Sequence, residues 1–438
     1  MNSENLNAPS RRKFLKKVAS VTAGAVILPN IIPSAVLGMN GATPPSDRIV
    51  MGVIGSGSQG MGNVHEFMRL GSMARFVAMC DVDKKNLESA RQRINQYNKS
   101  DDCRVYEDYR ELLEKETLDA MLIAVPDHWH SLTYIATANK KIDVYGEKPL
   151  ARSIKEGQAI VEAVKRNGII WQTGSWQRSQ SNFLHAAELA INGRIGKIKY
   201  TEVGLPTGTS PIGTPPVMEV PAELNWDFWL GSAPKVPFRG VYHWNWRWIL
   251  DYSGGQLTDW AGYHIDIAHW GLGLDRTGPI EIAGEGVYPR EGIYDVPIEY
   301  DFLCKYANGM NVRVANNSRV KGGVVWFGEN GWIHVDRGHL QASDPKILDE
   351  KMGAGDTRLY KSENHWKNFL ECVKSRKETI TPADIAHRSI SVGLLGEIAM
   401  QTREVIKWDP DKQEIIGNER ASRMLLRPMR APWKLPTV

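Results

Sequence analysis

Arg48-Ile49-Val50-Met51-Gly52-Val53-Ile54 runs without a break into Gly55-Ser56-Gly57-Ser58-Gln59-Gly60. The first seven residues are mostly apolar and rich in β-branched side chains, the composition of a strand buried on both faces. Residues 55–60 then form Gly-x-Gly-x-x-Gly at a strand-to-helix turn, with a helix predicted from Asn63 to Leu70. Each glycine has its own task. Gly55 makes the tight turn, Gly57 lets the backbone approach a diphosphate, and Gly60 lets the helix pack close to the strand. The free N–H groups of the helix start then face the diphosphate, and Gln59 sits among them.

Working outward, the α/β alternation continues. Phe76 to Cys80 reads as a second strand and ends at Asp81, 21 residues after Gly60. An acid there accepts hydrogen bonds from a ribose diol and repels a 2′-phosphate, so NAD is expected over NADP. Lys84 and Lys85 nearby work against that preference. Leu87 to Gln96 and Tyr109 to Glu116 read as helices, and Ala120 to Val125 as a buried strand. That strand ends in Pro126-Asp127-His128-Trp129-His130, at the strand end where ligands of such sheets bind. Ser131 to Asn139 is the next helix. Asp143 to Gly146 is a strand leading into Glu147-Lys148-Pro149. Ser153 to Arg166 is a helix and Ile169 to Gln172 a last strand.

Pro-Asp-x-x-His at one strand end and Glu147-Lys148-Pro149 at the next resemble the Gfo/Idh/MocA oxidoreductases, the glucose–fructose oxidoreductase and inositol dehydrogenase group. So do Gly254-Gly255-Gln256-Leu257-Thr258-Asp259, Tyr263-His264-Ile265-Asp266 and Trp270-Gly271-Leu272-Gly273. The resemblance implies a Rossmann dinucleotide-binding domain over 43–172. It implies a substrate-binding α/β domain with an open, mixed, largely antiparallel sheet over 173–382. A helix and tail over 383–438 are then expected to pack back on the nucleotide domain. Strands are predicted at Ile198–Val203, Ile280–Val287, Ile298–Tyr306, Asn311–Asn316, Gly323–Phe327 and Trp332–Val335. Gly328-Glu329-Asn330-Gly331 is a hairpin turn.

The same resemblance assigns roles. Lys148 is the lysine that hydrogen-bonds the reacting hydroxyl. Glu147 orients Lys148 or the nicotinamide ribose, and Pro126, Asp127 and His130 lie near that ribose. The family's second-domain motif is Asp-x-x-x-His, whereas here Tyr263 stands four residues after Asp259 and His264 comes directly after it. Either Tyr263 has taken the family histidine's place or His264 reaches the site from one step along; one helical step turns a side chain by about 100°, so both cannot point identically. His264 is favoured as the base because an imidazole titrates near neutrality, with Tyr263 as a hydrogen-bonding partner. Trp176 and Arg178 follow the last nucleotide-domain strand and are substrate candidates. So are Trp246 and Arg247, in a stretch where Trp226, Trp229, Trp244, Trp246 and Trp248 crowd together. Aromatic faces stack on sugar rings, although filling of a large loop explains most of these tryptophans equally well. A metal among His243, Asp259 and His264 is conceivable, but their spacing establishes nothing, and no metal site is assigned.

Bulk composition sets outer limits. The chain has 438 residues, 42% hydrophobic and 24% charged, as in soluble globular proteins of more than one domain. Its net charge of +4 is local. In residues 1–38, Arg11, Arg12, Lys13, Lys16 and Lys17 stand against Glu4 alone, which leaves the remainder neutral. A neutral body carries no footprint for nucleic acid. Cys80, Cys103, Cys304 and Cys372 form no CxxC pair and no disulfide framework. Ser10-Arg11-Arg12-Lys13-Phe14-Leu15-Lys16 before the apolar Val18 to Gly38 resembles a twin-arginine signal, with cleavage expected between Ala35 and Ala42. That points to an exported or periplasmic protein, folded around its cofactor before transport, with no membrane span once the signal over 1–42 is gone.

The leading functional expectation is oxidation of a ring hydroxyl of a sugar or glycoside by tightly bound NAD, in a homo-oligomer. A redox-neutral NAD-dependent glycosidase, working by oxidation, elimination and reduction, is the alternative. A non-catalytic saccharide-binding protein is the third reading, and the intact glycine loop and Lys148 argue against it.

Overall fold

Strand β1 (Ile49–Ile54) is buried at every position except Val50, because it lies in the middle of a six-stranded sheet. The computed structural model describes residues 47–240 and 245–436. The expected signal, His243 and Trp244 therefore lie outside the described residues. The other strands of this sheet are β2 (Ala74–Cys80), β3 (Arg104–Tyr106), β4 (Ala120–Ile123), β5 (Asp143–Gly146) and β6 (Trp171–Thr173). Their order is β3-β2-β1-β4-β5-β6, and all pairs are parallel. The order reverses between β1 and β4, and the crevice that opens at such a reversal is where doubly wound sheets bind ligands.

The second sheet has nine strands. They are β7 (Ile198–Leu205), β8 (Glu281–Val287), β9 (Glu299–Lys305), β10 (Asn311–Asn316), β11 (Gly323–Gly328), β12 (Trp332–Asp336), β13 (His339–Ala342), β14 (Ile406–Asp409) and β15 (Glu414–Ile415). Their order is β13-β12-β11-β7-β10-β9-β8-β14-β15. β7 and β10 run parallel and the other neighbours antiparallel. The expected α/β class, a Rossmann sheet followed by a mixed, largely antiparallel sheet, is what the structure shows. All six strands read from the second half are present. β3, β13, β14 and β15 went unread, because they are short, lie at or beside the sheet edges and lack the continuous apolar run of a buried strand. The Gly328–Gly331 turn joins β11 to β12, with the Gly328 N–H donating to the Gly331 carbonyl at 2.8 Å.

Helix Ala383–Thr402 holds the two sheets together. It packs on helix Ile154–Asn167 of the first sheet, on β8 of the second, and on the turn Ala261–Ile265. Close approach needs small residues at its contacts. A Cβ on Gly396 would sit 2.5 Å from the Phe302 ring, and one on Gly393 would meet the Ala261 Cβ at 3.0 Å. The tail returns to the nucleotide-binding half. Arg427 pairs with buried Glu156 at 2.9 Å, and Trp433 packs edge-on against Trp129. All four cysteines are buried and unpaired with one another. No described helix is long and apolar enough to cross a membrane.

One buried ion pair pins this arrangement. Both terminal nitrogens of Arg152 meet the Glu397 carboxylate, at 2.9 and 3.1 Å, while Nε donates to the Leu250 carbonyl. Both side chains are 10% exposed or less. Replacing one partner strands the other charge, at a cost of about 3–5 kcal/mol. Glu397→Ala is expected to lose stability on that scale in urea unfolding, and a loss under ~1 kcal/mol would deny the pair its role.

Candidate active site

The glycine loop has the geometry its spacing requires. Gly55 has φ +94°, and a Cβ there would sit 2.3 Å from the Ala124 carbonyl oxygen. A Cβ on Gly60 would collide with the Gly55 carbonyl at 2.0 Å. One on Gly57 would meet nothing within 4 Å, so this side of the loop faces open space. No side chain caps helix Ser58–Arg69, whose first turn carries no acid. Uncapped N–H groups beside an open glycine suit an anion. Asp81, at the end of β2, braces the loop: its carboxylate accepts from the Ser56 N–H at 2.6 Å, the Ser56 hydroxyl at 2.7 Å and the Asp83 N–H at 2.9 Å. Together these features fit the diphosphate and ribose of a dinucleotide.

From Asp81 a cavity of about 540 Å³ runs past the glycine loop to a cluster of charges. Gly55, Gly57, Gln59, Pro126, Asp127, Glu147, Lys148, Trp246, Arg247 and Asp259 all line it, so most of the expected residues come together. At its far end the Lys148 ammonium donates to Asp259 Oδ1 at 2.7 Å and to the Asp259 carbonyl at 3.2 Å. The same carboxylate oxygen lies 3.6 Å from Arg247 Nε. Burial works against the Lys148 charge, but Asp259, Tyr263 and Glu147 outweigh it and lift its pKa above the ordinary lysine value. Burial likewise opposes the Asp259 charge, and Lys148 and Arg247 overcome it, so the acid stands below its usual range. The pair is therefore ionised at neutral pH.

Neighbouring groups hold this end in place. Glu147 accepts from Gln59 at 2.8 Å and Asn63 at 2.7 Å. A Cβ at Gly174 would lie 2.9 Å from its carboxylate, so glycine makes room for it. His130 does not line the cavity. Its ring bridges the Pro149 carbonyl at 2.6 Å and the Val125 carbonyl at 3.0 Å, tying the two strand-end loops together. Asp127 Oδ2 accepts from the Ser253 hydroxyl at 2.6 Å. Burial raises its pKa to about 7, with Asp259 adding to the rise and Ser253, Arg247 and Lys148 opposing it. Ser253 and Asn63 escaped the sequence reading because they act through a partner and sit in no motif of their own.

The chain between Asp259 and Asp266 departs from a plain helix. Gly255–Trp260 is α-helical, Ala261–Ile265 forms a wider π turn, and Asp266–Leu272 resumes the α-helix. Such one-turn insertions recur at functional sites. The turn lies close to Lys148, since a Cβ on Gly262 would meet the Lys148 Cβ at 3.4 Å. Tyr263 presents its ring 5.0 Å from Lys148 Nζ. Burial raises the Tyr263 phenol to about 12. His264 takes another direction. Its ring packs on Trp260 and its Nε2 lies 3.6 Å from Asp336 Oδ1, with burial lowering its pKa to about 4.

The substrate candidates separate. Trp246 and Arg247 border the cavity, the guanidinium 4.4 Å above the indole. Trp176 stands beside Tyr263, ring to ring at 5.9 Å. Arg178 is 2% exposed and fully engaged by Asp266 at 2.6 Å and Asp275 at 2.8 Å. It lies away from the cavity, as a charge buried with two acids of its own half. Trp226 and Trp229 stack at 4.9 Å in a small core with Phe238, and Trp248 packs with Tyr294 and Val296. No cluster of metal-ligating side chains occurs among the described residues.

Comparison with known proteins matches two models of one oxidoreductase family, Gfo/Idh/MocA. The NAD-binding Rossmann fold matches residues 49–175, and the C-terminal alpha/beta domain matches residues 212–435. The chain is 31% identical to myo-inositol 2-dehydrogenase of Thermotoga maritima over 384 residues, covering 84% of this chain and 99% of that protein. It is 28% identical over 204 residues to glycosyl hydrolase family 109 protein 2 of Shewanella sp. (strain ANA-3), covering 42% of this chain and 44% of that one. Among solved structures, the WlbA dehydrogenase of Bordetella pertussis, in complex with NADH and UDP-GlcNAcA, shares the fold. Its TM-score is 0.63 at 15% identity, over 83% of this chain and 99% of that chain.

Asp127 yields a test by linkage. Its pKa is higher folded than unfolded, so its contribution to stability is complete at low pH and is lost as pH rises through about 7. Asn keeps the acceptor for Ser253 and carries no charge. In dinucleotide-free protein, the stability advantage of Asp127→Asn over the native chain is expected to grow by roughly 2–3 kcal/mol between pH 5 and pH 8.5, nearly all of it below about pH 7, at about 1.4 per pH unit. Urea midpoints that stay parallel across this range would remove the buried acid from the account.

Proposed function

The chain belongs to the Gfo/Idh/MocA oxidoreductase family, and on that premise we propose that it oxidises a ring hydroxyl of a sugar or glycoside while keeping its NAD bound. The observation that carries the reading is the Lys148–Asp259 pair at 2.7 Å, in the same cavity as the glycine loop. Myo-inositol 2-dehydrogenase, the relative aligned over most of the chain, is named for a ring polyol and supports this substrate class.

Oxidising a carbinol requires removal of a hydroxyl proton and stabilisation of the oxygen left behind. Bound NAD supplies the hydride acceptor. Lys148 Nζ donates to the hydroxyl oxygen and passes one of its own protons to Asp259 as it takes the hydroxyl proton. The pair, rather than either group alone, carries the proton. Arg247 keeps Asp259 anionic until then. Tyr263, whose ring lies under Lys148, holds the ammonium from the second domain. The role expected of His264 passes to this cluster, because the contacts of His264 lead to Asp336. Gln59, through Glu147, and His130, through Pro149, position the lysine from the nucleotide side.

The second reading is redox-neutral glycoside cleavage, and the similarity to glycosyl hydrolase family 109 proteins favours it. A ring ketone acidifies the neighbouring C–H bond, elimination then expels the glycosidic oxygen, water adds across the resulting enone, and the hydride returns to the same sugar. Asp127, with a pKa near 7, is suited to protonate the leaving group.

Both readings include export by the twin-arginine signal. Free NAD is scarce outside the cytoplasm, so the dinucleotide is loaded before export and stays bound through many turnovers. Protein purified without added cofactor, dialysed extensively and then denatured is expected to release NAD or NADH at close to one per chain. Protein that emerges empty and exchanges NAD freely at millimolar concentration would sink retention. Mass spectrometry of a glycoside panel separates the chemistries: a product two mass units lighter marks a dehydrogenase, and a free sugar without net redox change marks a glycosidase.

A further inference from the structure

Beyond Tyr263, directly after β12 and outside the residues that line the cavity, lies a group that the proposed reaction does not use. The Arg337 guanidinium sits 4.6 Å from the Tyr263 ring, 4.5 Å from Trp176 and 4.4 Å from Trp260. The rings also pack on one another, Tyr263 being 5.9 Å from Trp176 and 5.8 Å from Trp260. Cation–π attraction through ring faces fixes a guanidinium without consuming its in-plane N–H donors. With the Gln177 amide turned so that its oxygen faces Arg337, it accepts from Nε at 3.0 Å while its nitrogen donates to the Tyr263 carbonyl at 3.3 Å. Nε is thereby satisfied, and the fork of terminal nitrogens is left.

Among the described residues no carboxylate pairs with that fork. The adjacent Asp336 is turned back, its Oδ1 accepting the Arg337 backbone N–H at 2.7 Å and facing His264 at 3.6 Å. The other cationic groups near the cavity end are matched: Lys148 and Arg247 share Asp259, and Arg178 has Asp266 and Asp275. Arg337 is half-buried, as are Trp176 and Trp260. A partly desolvated, immobilised guanidinium with its bidentate edge unfilled is built to receive a planar anion.

Its distance from the reactive end sets what that anion is attached to. Lys148 Nζ lies 5.0 Å and Arg337 Cζ 4.6 Å from the same Tyr263 ring centre, so the two charges are no more than about 10 Å apart. One pyranose ring with an exocyclic carboxylate bridges that span. We propose that Arg337 is a specificity-determining residue that binds the carboxylate of a uronic acid or uronide while its ring hydroxyl is presented to Lys148. The inference rests on the sugar-oxidising reading above and narrows its substrate to acidic saccharides.

The test compares methyl glycosides of glucuronic and galacturonic acid, both anomers, with the matching neutral hexosides. Binding to the purified holoprotein is followed by calorimetry, and dinucleotide reduction by absorbance, for the native chain and for Arg337→Met. At least one uronide is expected to bind about tenfold or more tighter than its neutral counterpart, as when a site's polar partner is missing from an analogue. Arg337→Met is expected to abolish that gap and leave neutral-sugar affinity and bound dinucleotide unchanged. Equal binding of uronides and hexosides, or a gap that survives Arg337→Met, overturns the proposal; so does a variant that loses only thermal stability, since Arg337 would then merely brace the rings. The two readings fail separately. Oxidation of neutral sugars without uronide preference keeps the redox reading and discards this one, whereas Arg337-dependent uronide binding without oxidation of any sugar does the reverse.

Discussion

An ammonium and a carboxylate from different halves of the chain meet inside the protein, and the rest of the site is arranged around keeping both charged. Lys148 comes from the end of β5, and Asp259 from the helix that precedes the π turn. Neither charge is tolerable there alone, because removing an ion from water costs several kcal/mol that only a well-placed partner returns. Arg247 beside Asp259 and Glu147 behind Lys148 extend the compensation. The pair is thus both the chemical end of the cavity and a joint between domains. This coupling explains why structural groups concentrate around it. The His130 bridge, the Glu147 contacts and the Arg152–Glu397 pair each fix one of the loops that present the two charges.

The cavity is graded along its length. At the Asp81 end it offers backbone N–H groups and one braced carboxylate, which suit a dinucleotide. At the Lys148 end it offers opposed charges and aromatic surface, which suit a polyol. Asp127 lies between, buried and with a proton affinity near neutrality. Family membership, the glycine geometry and this grading point the same way without depending on one another.

The nucleotide-binding half was legible because its signals are local. Gly55, Gly57 and Gly60 are dictated by turns and contacts within a few residues of themselves, and the buried strands are continuous apolar runs. Lys148 was legible through the short Glu147-Lys148-Pro149 segment at a strand end. Placement in the second half depends on tertiary packing that spacing does not reveal. A straight helix would have left Tyr263 and His264 as rivals for one position; the π turn directs one ring to Lys148 and the other to Asp336. Arg178 reads as a pocket arginine beside Trp176, yet two acids nearly a hundred residues away claim it. Arg337 follows a strand that was recognised, but nothing in its neighbours announces three aromatic rings drawn from other segments.

The central claim is that Lys148, held charged by Asp259, moves the proton of the reacting hydroxyl. Its most direct test is turnover of Lys148→Met on whichever glycoside the native protein oxidises, measured together with bound dinucleotide. The account expects a fall in kcat on the order of 10²–10⁴, with dinucleotide content and substrate affinity largely retained because the glycine loop and Arg247 remain. Near-native turnover in that variant, with its dinucleotide in place, would contradict the account.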